Sequence, residues 1–377
     1  MSSADARLRA WAYLSRVAEP PRADLAALVA RRGPEEAAER IRCGAVDSEL
    51  ARHTEARRDI DMAAEDLQVL ARRGGRLITP DDDQWPALAF AAFTGPRPGK
   101  SDCQPPLVLW AVGPACLDAI AERAAAIVGT RAATGYGETV AADFAAGLAE
   151  RDVAVVSGAA YGIDGAAHRS ALAADGTTLA VLAGGIDVPY PAGHSALLHR
   201  IGGSGLLVSE YAPGVRPARH RFLTRNRLVA ALAGATVVVE AGLRSGAANT
   251  AAWARLLGRP VAAVPGPVTS AASAGCHVLL RSGAELVTRA DEVVELAGRV
   301  GELADDPPHP VRTLDGLSRC ERQVYEALPG RGLATVDQIA VASGLAPAQV
   351  FGPLALLEIA GLAQRRDGSW GIVRPNR

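Results

Sequence analysis

Five short segments between Val128 and Gly266 gather glycine, small hydroxyl residues and arginine, the residue types that hold phosphate. They are Val128-Gly129-Thr130-Arg131, Ser157-Gly158-Ala159-Ala160-Tyr161-Gly162-Ile163-Asp164, Arg225-Asn226-Arg227, Glu240-Ala241 with Ser245-Gly246, and Val264-Pro265-Gly266. Glycine lets backbone N–H groups close on an anion, and arginine offers a planar fork that matches two phosphate oxygens. Ser157-Gly158 with Gly162 can fold into a concave nest of N–H groups, with Asp164 capping the helix that follows. Arg131 stands at the end of an apolar run, where parallel sheets place their ligands. Arg225-Asn226-Arg227 leads into the amphipathic stretch Leu228–Leu232 and reads either as a phosphate clamp or as a solvated helix start.

Other chemistries fit poorly. Gly135-Tyr136-Gly137 lacks the third glycine of a dinucleotide fingerprint, and no acidic residue clearly ends the second strand to hold a ribose. Gly95 to Ser101 resembles a phosphate loop but is one residue short, carries two prolines and runs into Pro105-Pro106 rather than a helix. Lys100 is the only lysine in the chain, which excludes an ordinary P-loop ATPase. Glu240 ends the most hydrophobic strand and could activate water, but it has no second acid beside it, and no Gly-x-Ser-x-Gly elbow occurs. Asp164 and His168 share a helix face; a cap and a surface histidine is the plainer reading than an acid–base pair. Cys43, Cys103, Cys116, Cys276 and Cys320 lie far apart, with neither a CxxC pair nor zinc-type histidine spacing. We expect no metal and no cofactor.

The segments need a scaffold, and the apolar runs supply it. Ala126–Val128, Val153–Val156, Leu179–Leu182, Leu206–Val208, Val237–Val239 and Val261–Val264 alternate with helical stretches. Continuous apolarity marks strands covered on both faces, hence a parallel α/β sheet. Upstream, Arg76–Thr79 and Leu107–Trp110 read as further strand pieces around a Pro- and Gly-rich loop. Residues 1–72 read as a small helical domain broken at Glu19-Pro20-Pro21 and Gly33-Pro34, with Pro34 in a first helical turn. Residues 73–298 form the α/β core, 299–312 a polar linker with Asp305-Asp306-Pro307-Pro308, and 313–377 a further unit. Three helices and a hairpin turning at Asp367-Gly368 give that unit the order of a winged helix. Its would-be recognition helix, Pro347 to Ala360, contains no arginine or lysine and suits protein contact better than DNA reading. Gly352-Pro353 should bend or interrupt it.

With 377 residues, 49% of them hydrophobic, the chain can bury large cores in two or three domains. Its net charge of −1 is no global signature of a nucleic-acid binder, so any such role must rest on local arginine. Neither a signal peptide nor a membrane span is legible, and a cytoplasmic protein is expected.

Taken in order, these motifs resemble the DprA (Smf) family of DNA-processing proteins. The family core V-G-x-R, S-G-x-A-x-G-I-D, F-P-x-R-N-R, E-A-x3-S-G and P-G is met by Val128–Arg131, Ser157–Asp164, Phe222–Arg227, Glu240–Gly246 and Pro265-Gly266. Trp85-Pro86 stands for a short Tyr-Pro motif. Departures are Leu223 after Phe222, Ala247-Ala248-Asn249-Thr250 for Ser-Leu-Ile-Thr, and His277 where Asn is common.

The resemblance implies a Rossmann-like core with a helical N-terminal domain and a C-terminal winged helix. It implies a non-enzymatic protein of natural transformation and recombination that binds single-stranded DNA, protects it, loads RecA onto it and forms a homodimer. Carried over by position, Gly129, Arg131, Ser157, Gly158, Gly162, Arg225, Asn226, Arg227, Ser245 and Gly246 line the phosphate pocket, and Arg219 and Arg221 extend it. Two alternatives stay open: a Rossmann-fold enzyme similar to nucleotide phosphoribohydrolases, acting through Glu240 although the loop P-G-G-x-G-T-x-x-E is absent, and an adaptor whose winged helix recruits a partner.

Overall fold

The computed structural model describes residues 3–94, 103–298, 301–304 and 314–373. The Gly95–Ser101 loop and most of the linker lie outside the described residues. The chain divides into two compact units, Met1–Asp305 and Asp306–Arg377.

The first unit is built on a nine-stranded sheet: β1 (Gly75–Ile78), β2 (Leu109–Val112), β3 (Ala124–Val128), β4 (Ala154–Ser157), β5 (Thr178–Leu182), β6 (Leu206–Ser209), β7 (Ala235–Val238), β8 (Val261–Ala263) and β9 (Glu285–Leu286). Their spatial order is β1-β2-β6-β5-β4-β3-β7-β8-β9. From β6 to β9 all neighbours are parallel, while β1 and β2 are antiparallel additions at one edge. Every residue of β3, β4, β5 and β7 is buried. The two-residue period of a strand explains why: Ala124, Ala126 and Val128 enter one core, while Ala125 and Ile127 enter the opposite one. The first core is closed by the helices Arg219–Ala231 and Gly246–Leu256, the second by Gly135–Ala149 and Ile163–Ala173. A strand with no exposed face cannot alternate in sequence, hence the continuous apolar runs.

Four helices precede the sheet: Ser3–Val17, Ala23–Arg42, Ser48–Thr54 and Ala63–Arg72. The break expected at Gly33-Pro34 is a kink inside one run, with Gly33 at φ 79°. Trp11, Leu14, Leu25 and Ile41 share a buried cluster with Trp110, Leu182 and Leu207 of the sheet, so these helices and the sheet stabilise one another. Burying each such side chain is worth about 1.5–3 kcal/mol.

The second unit holds the helices Arg319–Ala327, Val336–Ser343 and Pro347–Ile359 and the antiparallel pair β10 (Ala363–Arg366) and β11 (Ser369–Ile372). Asp367 and Gly368 take φ values of 48° and 77°, both positive as a tight two-residue hairpin requires. Ala334 adds a bridge to Trp370, and Val324, Ile339, Val350, Leu354 and Trp370 form the core. The helix Pro347–Ile359 runs through Pro353 without the expected interruption. Gly352 has no Cβ to crowd the proline ring, which removes the usual objection to a helical residue before proline. Among the described residues no single helix is long and apolar enough to cross a membrane.

Candidate nucleic-acid interface

The strand order reverses between β3 and β7, and the crevice beyond their carboxyl ends is where an open parallel sheet binds ligands. A cleft of about 820 Å³ opens there. Its walls come from the loops after β3, β4 and β7 and from one side of the helix Arg219–Ala231.

Glu240 fixes the crevice. Its carboxylate accepts from the Thr134 N–H at 2.9 Å and the Thr134 hydroxyl at 2.6 Å, and its carbonyl accepts from the Thr130 N–H at 2.7 Å. The side chain is buried and absent from the cleft wall. A Cβ on Gly137 would sit 2.3 Å from that carboxylate, so this glycine serves close approach rather than a nucleotide. Glu240 thus anchors a helix start, with both carboxylate oxygens bonded to Thr134.

The nest predicted at Ser157–Gly162 forms but is already filled by a side chain of the protein itself. The Asp164 carboxylate accepts from the N–H groups of Gly158 and Ala160 at 3.2 and 3.3 Å. The helix begins at Ile163 with Gly162 before it, so Asp164 does not cap it as expected. Burial pushes the Asp164 carboxyl up, against the nearby Arg225 and the two N–H donors that favour its charge. Ser157 is fully buried and donates to the Ile127 carbonyl at 2.6 Å, so its hydroxyl ties β4 to β3 instead of reaching the cleft. Gly162, at φ 72°, passes so close to the Thr130 carbonyl that a Cβ would lie 2.3 Å away. His168 is not a surface residue: it is fully buried, bonded through Nδ1 to the Thr178 hydroxyl at 2.7 Å, and burial pulls its pKa down to about 3. The Thr178 hydroxyl donates to the Val155 carbonyl at 2.9 Å, so Nδ1 carries the proton of a neutral ring.

Three arginines rim the cleft with exposed side chains, Arg131, Arg219 and Arg244. Arg131 lies over the Phe222 ring, 5.1 Å from its centroid, and Phe222 meets Tyr190 at 5.3 Å. Arg225 forms the floor, buried and donating to the carbonyls of Gly158 and Val181. Burial lowers its pKa to about 10, so it stays charged at neutral pH. Gly158 permits this packing, since a Cβ there would stand 2.5 Å from the guanidinium. On the far wall, Ser245 accepts from the Ala248 N–H at 3.3 Å and caps the helix Gly246–Leu256. Asn226 braces that helix through the Gly246 carbonyl and the Asn249 side chain.

The structure therefore brings Gly129, Arg131, Gly158, Arg219, Arg225, Asn226, Ser245 and Gly246 to one cleft and leaves Ser157, Gly162, Arg221 and Arg227 out of its wall. Arg227 is fully buried on the opposite side of its helix, paired with Glu210 at 2.6 and 2.9 Å and bonded to the Gln104 carbonyl. Arg221 is paired with Glu19. The helix starts at Arg219, so Arg225-Asn226-Arg227 sits in its second and third turns, away from the free N–H groups of a helix start. Sequence reasoning missed Arg244 and Tyr190 as cleft residues. Arg244 lay within the segment between Glu240 and Ser245, while nothing in Pro189-Tyr190-Pro191 signals a ligand. Elsewhere Asp24, Glu49 and His53 place ligand-type atoms within 4.8 Å of one another, but Arg22 already holds Asp24 at 2.6 Å.

Comparison with known proteins places the chain in a family. The family model of DNA recombination-mediator protein A matches residues 76–298, and that of the DprA winged helix domain matches residues 307–369. The chain is 74% identical over 371 residues to a putative DNA processing protein DprA of Mycobacterium tuberculosis, covering 98% of this chain and 95% of that one. It is 37% identical over 262 residues to protein Smf of Escherichia coli, covering 67% and 68%. The DprA structure from Streptococcus pneumoniae superimposes with a TM-score of 0.61 at 30% identity, over 73% of this chain and 92% of that one. DNA processing protein A from Helicobacter pylori, described for its single-stranded DNA binding mode, gives a TM-score of 0.50 at 28% identity over 58% and 94%. On the matched core, the winged helix and the near-full-length relative together, the chain belongs to the DprA (Smf) family of DNA-processing proteins.

Proposed function

We propose that this protein binds single-stranded DNA in the cleft beyond β3 and β7, without catalysis, and delivers it to recombination. One observation carries the reading: Arg131, Arg219 and Arg244 are exposed around a cleft whose wall also holds Tyr190 and Phe222. Guanidinium forks suit phosphates, and ring faces suit unpaired bases at about 1–3 kcal/mol per stacked base. The helical segment 1–72, the core 73–298, the linker 299–312 and the unit 313–377 are its working divisions. A homodimer fits the open edge at β9, where Leu286 is exposed. RecA is the expected recipient of the strand, in the cytoplasm. The helix Pro347–Ile359 exposes Phe351, Leu356 and Ile359 and carries no cation, which favours a protein over DNA as its partner.

The test is fluorescence anisotropy with labelled single-stranded and duplex oligonucleotides across a salt series. Preferential, salt-sensitive binding of single strands is expected. Duplex preference, or affinity indifferent to salt, would overturn the reading. Release of free base from nucleoside monophosphates, abolished by Glu240→Gln, would instead favour the hydrolase.

A further inference from the structure

The helix that delivers Arg219, Phe222 and Arg225 to the cleft begins badly by local rules. Its N-cap is Ala218, which offers no side-chain acceptor, and its first turn is Arg219-His220-Arg221, positive charge at the positive end of the helix dipole. The compensation comes from 202 residues away. Glu19, in the bend after the first helix, accepts from Arg221 Nε at 2.6 Å and Nη2 at 3.0 Å, from His220 Nε2 at 3.2 Å and from Arg57 Nη2 at 3.1 Å. Arg221 also donates to the Arg216 carbonyl and lies over the Tyr211 ring. The same helical segment reaches two more cleft-edge loops: Arg16, held by Asp66, donates to the Pro213 carbonyl at 2.6 Å, and Arg73 donates to the Asp187 carbonyl at 3.3 Å.

We infer that Glu19 is a positioning residue for strand binding, clamping the first turn of the helix Arg219–Ala231 so that Arg219 and Phe222 face the cleft, and that ordering this wall is the contribution of the N-terminal helices. The inference rests on the single-strand reading of the cleft. It makes a claim of unusual sign. A carboxylate beside a cationic cleft repels phosphate, so its removal should tighten binding if Glu19 acted by charge alone. A clamp predicts the reverse.

The experiment measures single-strand affinity and its salt dependence for the full chain and for Glu19→Gln, Arg221→Lys and their combination. Glu19→Gln is expected to weaken binding about tenfold, the scale of a coupled network, with an unchanged salt slope because no phosphate contact is removed. Arg221→Lys keeps the charge but loses the fork, so it should weaken binding comparably, and the double variant should be no worse than either single one. Hydrogen exchange should quicken at residues 221–225 in both variants while the sheet amides stay protected, which separates local fraying from general unfolding. Unchanged or tighter binding by Glu19→Gln, or full activity of Arg221→Lys, overturns the inference. A wild type that fails to bind single strands overturns the reading of the cleft instead.

Discussion

Arg131→Ala is the substitution that most directly tests the cleft. The side chain is exposed, rests on Phe222 and has no carboxylate partner among the described residues, so its removal should leave the fold intact. If Arg131, Arg219 and Arg244 each neutralise one phosphate, log affinity should fall with log salt at a slope of about −2, since each contact on a single strand contributes about −0.7. Between 50 and 200 mM salt, that is about a twentyfold loss for the wild type and about sevenfold for the variant. The lost contact itself is worth about 1–2 kcal/mol for an exposed charged hydrogen bond, or five- to thirtyfold in Kd at low salt. The deficit should therefore shrink about 2.5-fold as salt rises, and Arg131→Lys should restore the slope without restoring the full affinity. Anisotropy titrations with an oligothymidine at four salt concentrations read all three quantities, and thermal unfolding confirms an unchanged Tm. A variant with wild-type affinity and slope would refute the placement of phosphate at this rim.

Arg227→Ala should behave in the opposite way, because its partner Glu210 is left buried without a counter-charge; chemical denaturation should report a loss of about 3–5 kcal/mol, and Arg227→Met with Glu210→Leu should recover most of it. Gly162→Ala forces a Cβ to within 2.3 Å of the Thr130 carbonyl at φ 72°, so about 1–3 kcal/mol of stability should be lost together with DNA affinity as the Arg131 loop shifts; a variant that binds normally would refute the coupling of the two loops. Burial pushes the Glu19 carboxyl up, but its hydrogen bonds from Arg221, Arg57 and His220 outweigh that and hold it at about 2, below the ordinary 4.5. Its contribution to stability is thus present above pH 4.5 and lost as pH falls from there towards 2; urea midpoints should drop across that window less steeply in Glu19→Gln than in the wild type.

The sheet was legible because burial on both faces leaves no room for polar residues, and the runs from Ala126 to Val264 contain almost none. The loops were legible as the lining of one cleft because glycine and arginine at the ends of parallel strands fall where such a sheet binds ligands, and the structure gathers Gly129, Arg131, Gly158, Ser245 and Gly246 there. What the residue types could not reveal is which arginine faces the cleft. Arg225 and Arg227 look equivalent in the sequence, yet two residues are about 200° apart on a helix, so they point to opposite sides. Positions 219, 222, 223, 225, 226 and 229, spaced by three and four, are the ones that line the cleft. That periodicity was available once the helix was known to begin at Arg219, but an uncapped first turn of basic residues conceals that beginning. The signal that completes it, Glu19, lies 202 residues earlier.

The filled nest changes how affinity must be built. A glycine-rich loop with open N–H groups would bind one phosphate tightly and fix its position, but here Asp164 occupies those donors and Arg225 lies buried behind it. On the proposed reading an incoming phosphate meets the rim arginines instead, on flexible side chains that can follow a backbone of any sequence. Asp164→Asn tests this division. The amide keeps an acceptor for the two N–H groups and removes the ionisable carboxyl that faces Arg225, so in the ionised state of the wild type the change makes the floor more positive. Single-strand affinity should then rise modestly, by about two- to threefold, with the salt slope held near its wild-type value, as a long-range Coulomb effect requires. A slope steeper by about 0.7 would mean that a phosphate had displaced the amide from the nest, and that the loop, not the rim, is the stronger anion site.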